Sequence, residues 1–392
     1  MVTPRDLGLI ADDITGACNL AAVFTKRLSQ VDVVINGHSG ESTKIRHGKP
    51  EVYNTQSRAL SASESRKRVA QASVRLDGRP VIFKKIDTAF RGNISIELDA
   101  LLDSVGRRRV IVSPALPAIG RTTKNGVQLH EGVPIHLTEY AADPINPTLT
   151  SNVDEAVGGS RNGLVETRDA ETMDDLLKMV DDGLAEGKVI FLGSLGLGHA
   201  LADRVRPERP SIRKPPGNST KRSGPIVCIC GSTYRRAHGQ LESAARAFFG
   251  SVHDFDPETM EWHVSPKPEG TEVNDAANAV PEFLRVSKKR LSLDRGEASR
   301  LLKRFADAAV ERIRRLDPSG IVIIGGDTSY AILKNLGATR LQVRAEYCDV
   351  ISAGVIYDGY FGGVPISVKG GSVGDEGSAA VMIDAVRSVH GI

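Results

Sequence analysis

Short apolar runs alternate along this chain with longer stretches in which apolar residues recur every three to four positions. Residues 7–11 form an apolar run of the kind expected for a strand buried on both faces. Ala17, Leu20, Ala21, Phe24 and Leu28 follow at helical spacing, and residues 31–35 form a second run rich in β-branched side chains. Strand, helix, strand in that order predicts a parallel sheet. The alternation predicts further strands at 52–55, 81–86, 110–113 and 189–192, and a helix over 62–76 closed by Asp77-Gly78. Another helix is expected after Asn93, which would cap it, with Ile94, Leu98, Leu101, Leu102 and Val105 on one face. Residues 126–135, with Gly132-Val133-Pro134, read as an excursion from the alternation.

Between Arg204 and Pro225 apolar periodicity vanishes and five prolines are mixed with Arg, Lys, Ser and Gly. This stretch reads as a linker. A second α/β pattern follows: a strand over 226–230, an amphipathic helix marked by Ala298, Leu301, Leu302, Phe305, Ala309 and Ile313, a turn at 317–320, and a strand over 321–324. The expected architecture is therefore two α/β domains, residues 1–205 and 226–392, each a mainly parallel sheet flanked by helices, joined by a linker at 206–225. A length of 392 residues agrees, because one core rarely extends so far.

Composition narrows the partners. A net charge of +3, with no long block of like charge, argues against nucleic acid or a membrane surface, and no apolar run reaches the roughly 20 residues of a membrane helix. The opening residues lack the pattern of a signal peptide. Four cysteines (Cys18, Cys228, Cys230, Cys348) form neither a CxxC framework nor a zinc spacing. Cys228 and Cys230 would share one strand face as packing residues. A reduced, cytoplasmic protein is expected, its oligomeric state open.

In parallel sheets, ligands collect where strands end. The first strand ends in Asp12-Asp13-Ile14-Thr15-Gly16. Asp12 there suits accepting a hydroxyl proton or a metal ion, while capping of the next helix by Asp13 and simple pairing of Asp12 are the plainer readings. Arg58 follows the third strand, and Lys85, Asp87 and Arg91 follow the fourth. Basic groups gathered on one edge suit a carboxylate or phosphate. Gly120-Arg121-Thr122-Thr123 offers donors for a polyhydroxylated ligand or a plain turn, and residues 193–198 offer a glycine cluster or a tight helix entry. In the second half Gly325-Gly326-Asp327-Thr328 follows a strand and opens a helix, a setting that favours phosphate oxygens. Lys369-Gly370-Gly371-Ser372-Val373-Gly374-Asp375 and Gly231-Ser232-Thr233 are further glycine loops, and three in one domain point to a nucleotide site. No GxxxxGK[ST] occurs, so this is no P-loop protein, and no GxGxxG supports a nicotinamide-dependent oxidoreductase.

As an ordered set, these segments resemble the four-carbon acid sugar kinase family, which contains threonate, erythronate and 3-oxo-tetronate kinases. The markers are residues 11–17, Ser57-Arg58, Lys84-Lys85-Ile86-Asp87, Arg91-Gly92-Asn93, Pro117-Ala118 with residues 120–123, Gly231-Ser232, residues 325–328, and Lys369-Gly370-Gly371 with Gly374-Asp375. The resemblance implies a sugar-acid-binding N-terminal domain contacted through Asp12, Arg58, Lys85, Ile86, Asp87 and Thr88. It implies a C-terminal domain binding ATP through Ser232, Gly325, Gly326, Asp327, Thr328 and Gly371. Arg58, Lys85 and Arg91 would hold the carboxylate and Asp12 would take the hydroxyl proton. Mg²⁺ would bridge the phosphates, with Asp327, Asp375 and Glu346 as its candidate partners, and domain closure would exclude water. Thr88-Ala89-Phe90 stands where the family often has Ser-Thr-Leu, and Val373 where it often has an aromatic residue. The other reading is a non-catalytic small-ligand-binding or effector protein on the same fold.

Overall fold

The structure is a computed structural model, and it describes residues 1–39, 50–143, 146–207, 215, 222–232, 234–265, 280–287 and 295–389. The chain divides into two compact units, Met1–Ser211 and Ile212–Ile392. Most of the stretch read as a linker, and Thr233, lie outside the described residues.

In the first unit the strands are β1 (Leu7–Ala11), β2 (Val31–Val34), β3 (Glu51–Asn54), β4 (Val81–Lys85), β5 (Arg109–Ser113), β6 (Arg121–Lys124), β7 (Val127–His130), β8 (Val133–Pro134), β9 (Val165–Thr167) and β10 (Val189–Gly193). The helices are α1 (Ile14–Leu28), α2 (Ala62–Ser73), α3 (Ile94–Val105), α4 (Val153–Val157), α5 (Met173–Ala185) and α6 (Leu195–Ala202). The main sheet is parallel, in the order β2-β3-β1-β4-β10-β5-β9, and its central strands are buried along their whole length. Burial on both faces is why these strands read as unbroken apolar runs.

Alternate strand residues serve opposite faces. Ile10, Ile82, Val110 and Ile190 pack with Val69 of α2 and Leu98 and Leu101 of α3. Phe83 and Phe191 lie against Gly198 of α6 and Gly183 of α5, on the other side. The chain leaves β1 through α1, which packs on α6, and leaves β4 through α3, which packs on α2. Neighbouring strands β1 and β4 therefore send their loops to opposite faces, and this parting opens a crevice at their carboxyl ends.

In the second unit the strands are β11 (Gly224–Cys230), β12 (Val252–Asp256), β13 (Glu261–Val264), β14 (Glu282–Val286), β15 (Pro318–Ile324), β16 (Arg340–Tyr347), β17 (Ile351–Ile356) and β18 (Pro365–Lys369), and the helices are α7 (Arg235–Ala247), α8 (Arg295–Leu316), α9 (Gly326–Asn335) and α10 (Ser378–Ser388). The order is β13-β12-β14-β11-β15-β18-β17-β16, parallel from β12 to β18 and antiparallel at both margins. Cys228 and Cys230 share a core with α7 and α10, and burial pushes the Cys230 thiol up to about 11, so both are packing residues. Each unit is thus an α/β domain built on a mainly parallel sheet.

Three expectations need correction. Residues 121–124 are not a turn but strand β6, which pairs with β7 and β8 in a small antiparallel sheet. Residues 318–320 are already in β15, because the chain turns at Asp317, whose φ is +45°. Asn93 stands at the start of α3 without capping it; its amide instead donates to the carbonyl of Leu60 at 3.0 Å and to Ser65 Oγ at 2.9 Å.

Leu98, fully buried between α3 and the sheet, tests this packing. Leu98→Ala is expected to lower stability by about 2–5 kcal/mol, read by urea titration.

Candidate active site

At the crevice of the first unit, Asp13 caps α1: its Oδ1 accepts from the Gly16 N–H at 3.0 Å and its Oδ2 from Thr15 Oγ1 at 2.5 Å. A Cβ on Gly16 would overlap that carboxylate, so glycine is required there. With Asp13 engaged in the cap, Asp12 projects from the end of β1 and meets Arg58. The guanidinium donates to Asp12 Oδ2 from Nε at 2.7 Å and to Oδ1 from Nη2 at 2.9 Å, and Nη2 also reaches Asp13 Oδ1 at 2.7 Å. Gly92, at φ +102°, makes room for this arrangement, since a Cβ would stand 3.0 Å from the Arg58 side chain. Burial favours protonation of Asp12, but Arg58, with Lys84 and Lys85, outweighs it and holds the carboxyl below its usual range.

On the next strand, Lys85 is paired in register with Ala11, and its Nζ donates to the Ile86 carbonyl at 2.6 Å. Burial lowers the Lys85 ammonium despite the nearby aspartates. Ile86 turns its side chain into the core, so it offers the site only its backbone. Asp87 takes Arg91 in a bidentate pair, with Nε at 2.8 Å and Nη2 at 3.0 Å, and Arg91 also reaches Asp143 at 3.3 Å. Burial works against the Asp87 charge, yet Arg91 and Arg58 hold the carboxyl well below its usual range.

In the second unit, the loops after adjacent strands β11, β15 and β18 meet. The Gly325 N–H donates to the Lys369 carbonyl at 2.8 Å. Gly325, at φ +118°, turns the chain directly into α9 and, as its N-cap residue, brings no side chain to the helix start. A Cβ on Gly231 would overlap the Thr328 hydroxyl, and one on Gly371 would overlap that of Ser232. These glycines are thus demanded by the packing of the loops on one another, which leaves backbone close to the edge of the site. Lys369 is fully buried and spends its donors on Gln240 Oε1 at 2.7 Å and on the carbonyls of Gly370 and Val373 at 2.8 Å each; burial brings it to about 8. An ammonium has three protons, so Lys369 holds the loop. Asp327 lies in the first turn of α9, and Asp375 accepts from Ser378 Oγ at 2.9 Å where α10 begins.

Two domain families match this chain: the sugar-binding N-terminal domain over residues 7–201, and the nucleotide-binding C-terminal domain over residues 227–378. Curated relatives agree along nearly the full length. The chain is 24% identical to a D-threonate kinase of Salmonella typhimurium, over 94% of this chain and 95% of the relative. It is 25% identical to a D-erythronate kinase of Heliobacterium modesticaldum, over 96% of each, and 28% identical to a 3-oxo-tetronate kinase of Methylobacterium radiotolerans, over 89% and 91%. The chain belongs to the four-carbon acid sugar kinase family. The fold is shared with a crystal structure from Salmonella typhimurium LT2, at a TM-score of 0.70 and 18% identity over 97% of this chain and 98% of the other. Kinase-named relatives place the chain among phosphotransferases. Among the described residues no helix is long and apolar enough to cross a membrane.

Within this family member, one group of each unit's motif residues gathers at one sheet edge: Asp12, Arg58, Lys85, Asp87 and Arg91 in the first, Ser232, residues 325–328 and Gly371 in the second. The glycine cluster at 193–198 serves helix entry, since a Cβ on Gly193 or Gly196 would overlap the carbonyl of Ser113 or Ala115. Glu97 escaped the sequence reading. It is buried on α3, with Oε2 2.5 Å from Lys84 Nζ and Oε1 accepting from Ser57 Oγ at 2.6 Å. The chain of contacts continues from Ser57 Oγ to Thr55 Oγ1 at 2.7 Å and on to the Ala11 carbonyl at 3.0 Å, while the Ser57 N–H donates to the Asp12 carbonyl at 2.9 Å. Burial pushes Glu97 up, and Lys84 and Ser57 oppose that push. The only signal for Glu97 in the sequence is a carboxylate on the apolar side of α3.

Removing one member of this pair strands the other. Lys84→Met is expected to cost about 3–5 kcal/mol, and Lys84→Met with Glu97→Gln much less, in chemical denaturation. Asp87 should shape the acid limb of stability. Its carboxyl is lower in the folded state than its ordinary 3.8, so its contribution is complete above that value and is lost as pH falls below it. The difference in Tm between wild type and Asp87→Asn should therefore be large at neutral pH and shrink below about pH 4.

Proposed function

We propose that this protein is an ATP-dependent kinase that phosphorylates a hydroxyl group of a four-carbon sugar acid of the threonate, erythronate or 3-oxo-tetronate kind. The observation that carries the reading is the gathering of the Gly231, Gly325 and Gly371 loops around the glycine-led start of α9. Backbone N–H groups approached through glycine suit the oxygens of a polyphosphate. A crevice lined by Asp12, Arg58 and Lys85 in the other unit suits a small hydroxylated anion.

In the proposed reaction the acceptor hydroxyl, hydrogen-bonded to Asp12, attacks the γ-phosphorus of ATP. A new P–O bond forms, the bond to the β-phosphate oxygen breaks, ADP leaves, and the hydroxyl proton passes to Asp12. Arg58 keeps Asp12 ionised and aims it, so the carboxylate orients the hydroxyl early and accepts the proton late. That division suits a loose transition state, in which positioning and charge neutralisation matter more than base strength. Asp327 and Asp375, oxygen donors of the type magnesium prefers, would hold an Mg²⁺ ion accompanying ATP, which would supply neutralisation of phosphate charge. Glu346 sits at the end of β16, two strands from β18, and is a less direct candidate.

Asp12→Asn is expected to lower kcat by about 100-fold or more while the KM for ATP stays nearly constant. Gly371→Ala should do the reverse, raising the KM for ATP through its collision with Ser232 while acid binding, followed by calorimetry, is preserved. Near-normal turnover in Asp12→Asn would remove Asp12 from the proton-accepting role.

A further inference from the structure

We infer that Arg121 is the residue that receives the carboxylate of the bound acid. The inference rests on the reading of the first unit as the acid site, and it assigns that site's anion-binding group. Three arginines are carried by loops or strand starts at this end of the first unit. The guanidinium of Arg58 is engaged by Asp12 and Asp13, and that of Arg91 by Asp87 and Asp143. Arg121 differs. It is 2% exposed, and among the described residues no carboxylate lies within ion-pair distance of it.

What Arg121 does touch is neutral. One Nη donates to the Thr88 hydroxyl, and the guanidinium lies over the ring of Tyr140, 4.5 Å from its centroid. Its Nε is buried and has no acceptor among the described residues. Tyr140 also carries Arg91, at 5.5 Å, so one ring faces two guanidinium groups, of which Arg91 has its counter-charges and Arg121, among the described residues, has none. Taking a cation out of water without an anion is unfavourable, and the arrangement becomes favourable when a ligand supplies that anion. A planar guanidinium presents paired N–H groups that match a carboxylate.

The position fits as well as the charge. Thr88 directly follows Asp87 on the loop after β4, the strand whose Lys85 lies in register with Ala11, next to Asp12. Thr88 is partly exposed, so the end of the Arg121 side chain reaches the rim of the same crevice. Arg58 and Arg91 then have a different task from Arg121: they fix the aspartates, and Arg121 reads the acid. This separation would select a short hydroxy acid over the corresponding neutral polyol.

The test is Arg121→Met, which removes the charge and keeps an apolar chain against Tyr140. Relative to wild type, the KM and calorimetric Kd for threonate or erythronate should rise about 30-fold or more, while the KM for ATP stays within about threefold. Weak binding of threitol or erythritol, which lack the carboxylate, should be unchanged. The ligand-free variant should melt at the wild-type temperature or above it, because an uncompensated buried charge is gone. Arg121→Lys should fall between the two, keeping the charge without the fork. Acid affinity within about threefold of wild type in Arg121→Met, with wild-type ADP release intact, overturns the assignment and leaves the kinase reading standing. Loss of acid and ATP binding together with a lowered melting temperature overturns it in favour of a structural role. Arg121-dependent acid binding in a wild-type protein that releases no ADP upholds the assignment and overturns the kinase reading.

Discussion

Charges buried at the carboxyl ends of β1 and β4 must find partners, and that requirement organises the first unit. Asp12, Asp13 and Asp87 on one side and Arg58 and Arg91 on the other are held at hydrogen-bonding distances by loops from different strands. A buried ion pair of this kind adds little net stability, but a missing partner costs several kcal/mol. The loops are thereby confined to the arrangement that satisfies all of these groups together. Beneath them, Lys84, Glu97, Ser57 and Thr55 link α3 to the backbone of Ala11, so the strand that carries Asp12 is tied to a helix on the opposite face.

The second unit solves a related problem with the opposite chemistry. Three loops converge with glycine at the contact points, because a single Cβ at Gly231 or Gly371 would strike a hydroxyl of a neighbouring loop. Lys369, the basic residue nearest this convergence in sequence, is consumed inside it as a three-donor brace. Backbone, helix terminus and nearby carboxylates are what remain for a phosphate-bearing ligand. The two units thus share a topology in which adjacent strands send helices to opposite faces, and they fill the resulting crevices with side-chain charge in one case and with backbone in the other.

Much of the fold was legible because central parallel strands are apolar throughout, as in residues 7–11 and 226–230. Strand β9, only three residues long with Glu166 in its middle, gave no such run. Strand β6 is polar because its alternate residues, Arg121 and Thr123, are buried for hydrogen bonding and charge rather than for hydrophobicity. The helix over Met173–Ala185 shows its buried face in the spacing of Leu176, Met179 and Val180. At the site, residues of one type in one motif proved to have different duties. Lys84 and Lys85 are neighbours, yet strand alternation sends Lys84 to Glu97 and Lys85 to the edge. Glu97 was silent in the sequence, and Arg121 stood there only as one donor of a Gly-Arg-Thr-Thr segment, because their partners, Ser57 and Thr88, are some forty and thirty residues distant and only folding brings them within reach.

The central claim is phosphoryl transfer to a four-carbon acid, and acid-dependent ADP release measures it most directly. Incubation of the purified protein with ATP, Mg²⁺ and each stereoisomer of threonate, erythronate and 3-oxo-tetronate should release ADP with at least one acid, in equal amount with a phosphate ester detected by ³¹P NMR. Thermal stabilisation by both ATP and an acid, with no ADP formed from any member of the panel, would contradict the account and identify a binding protein on a kinase fold.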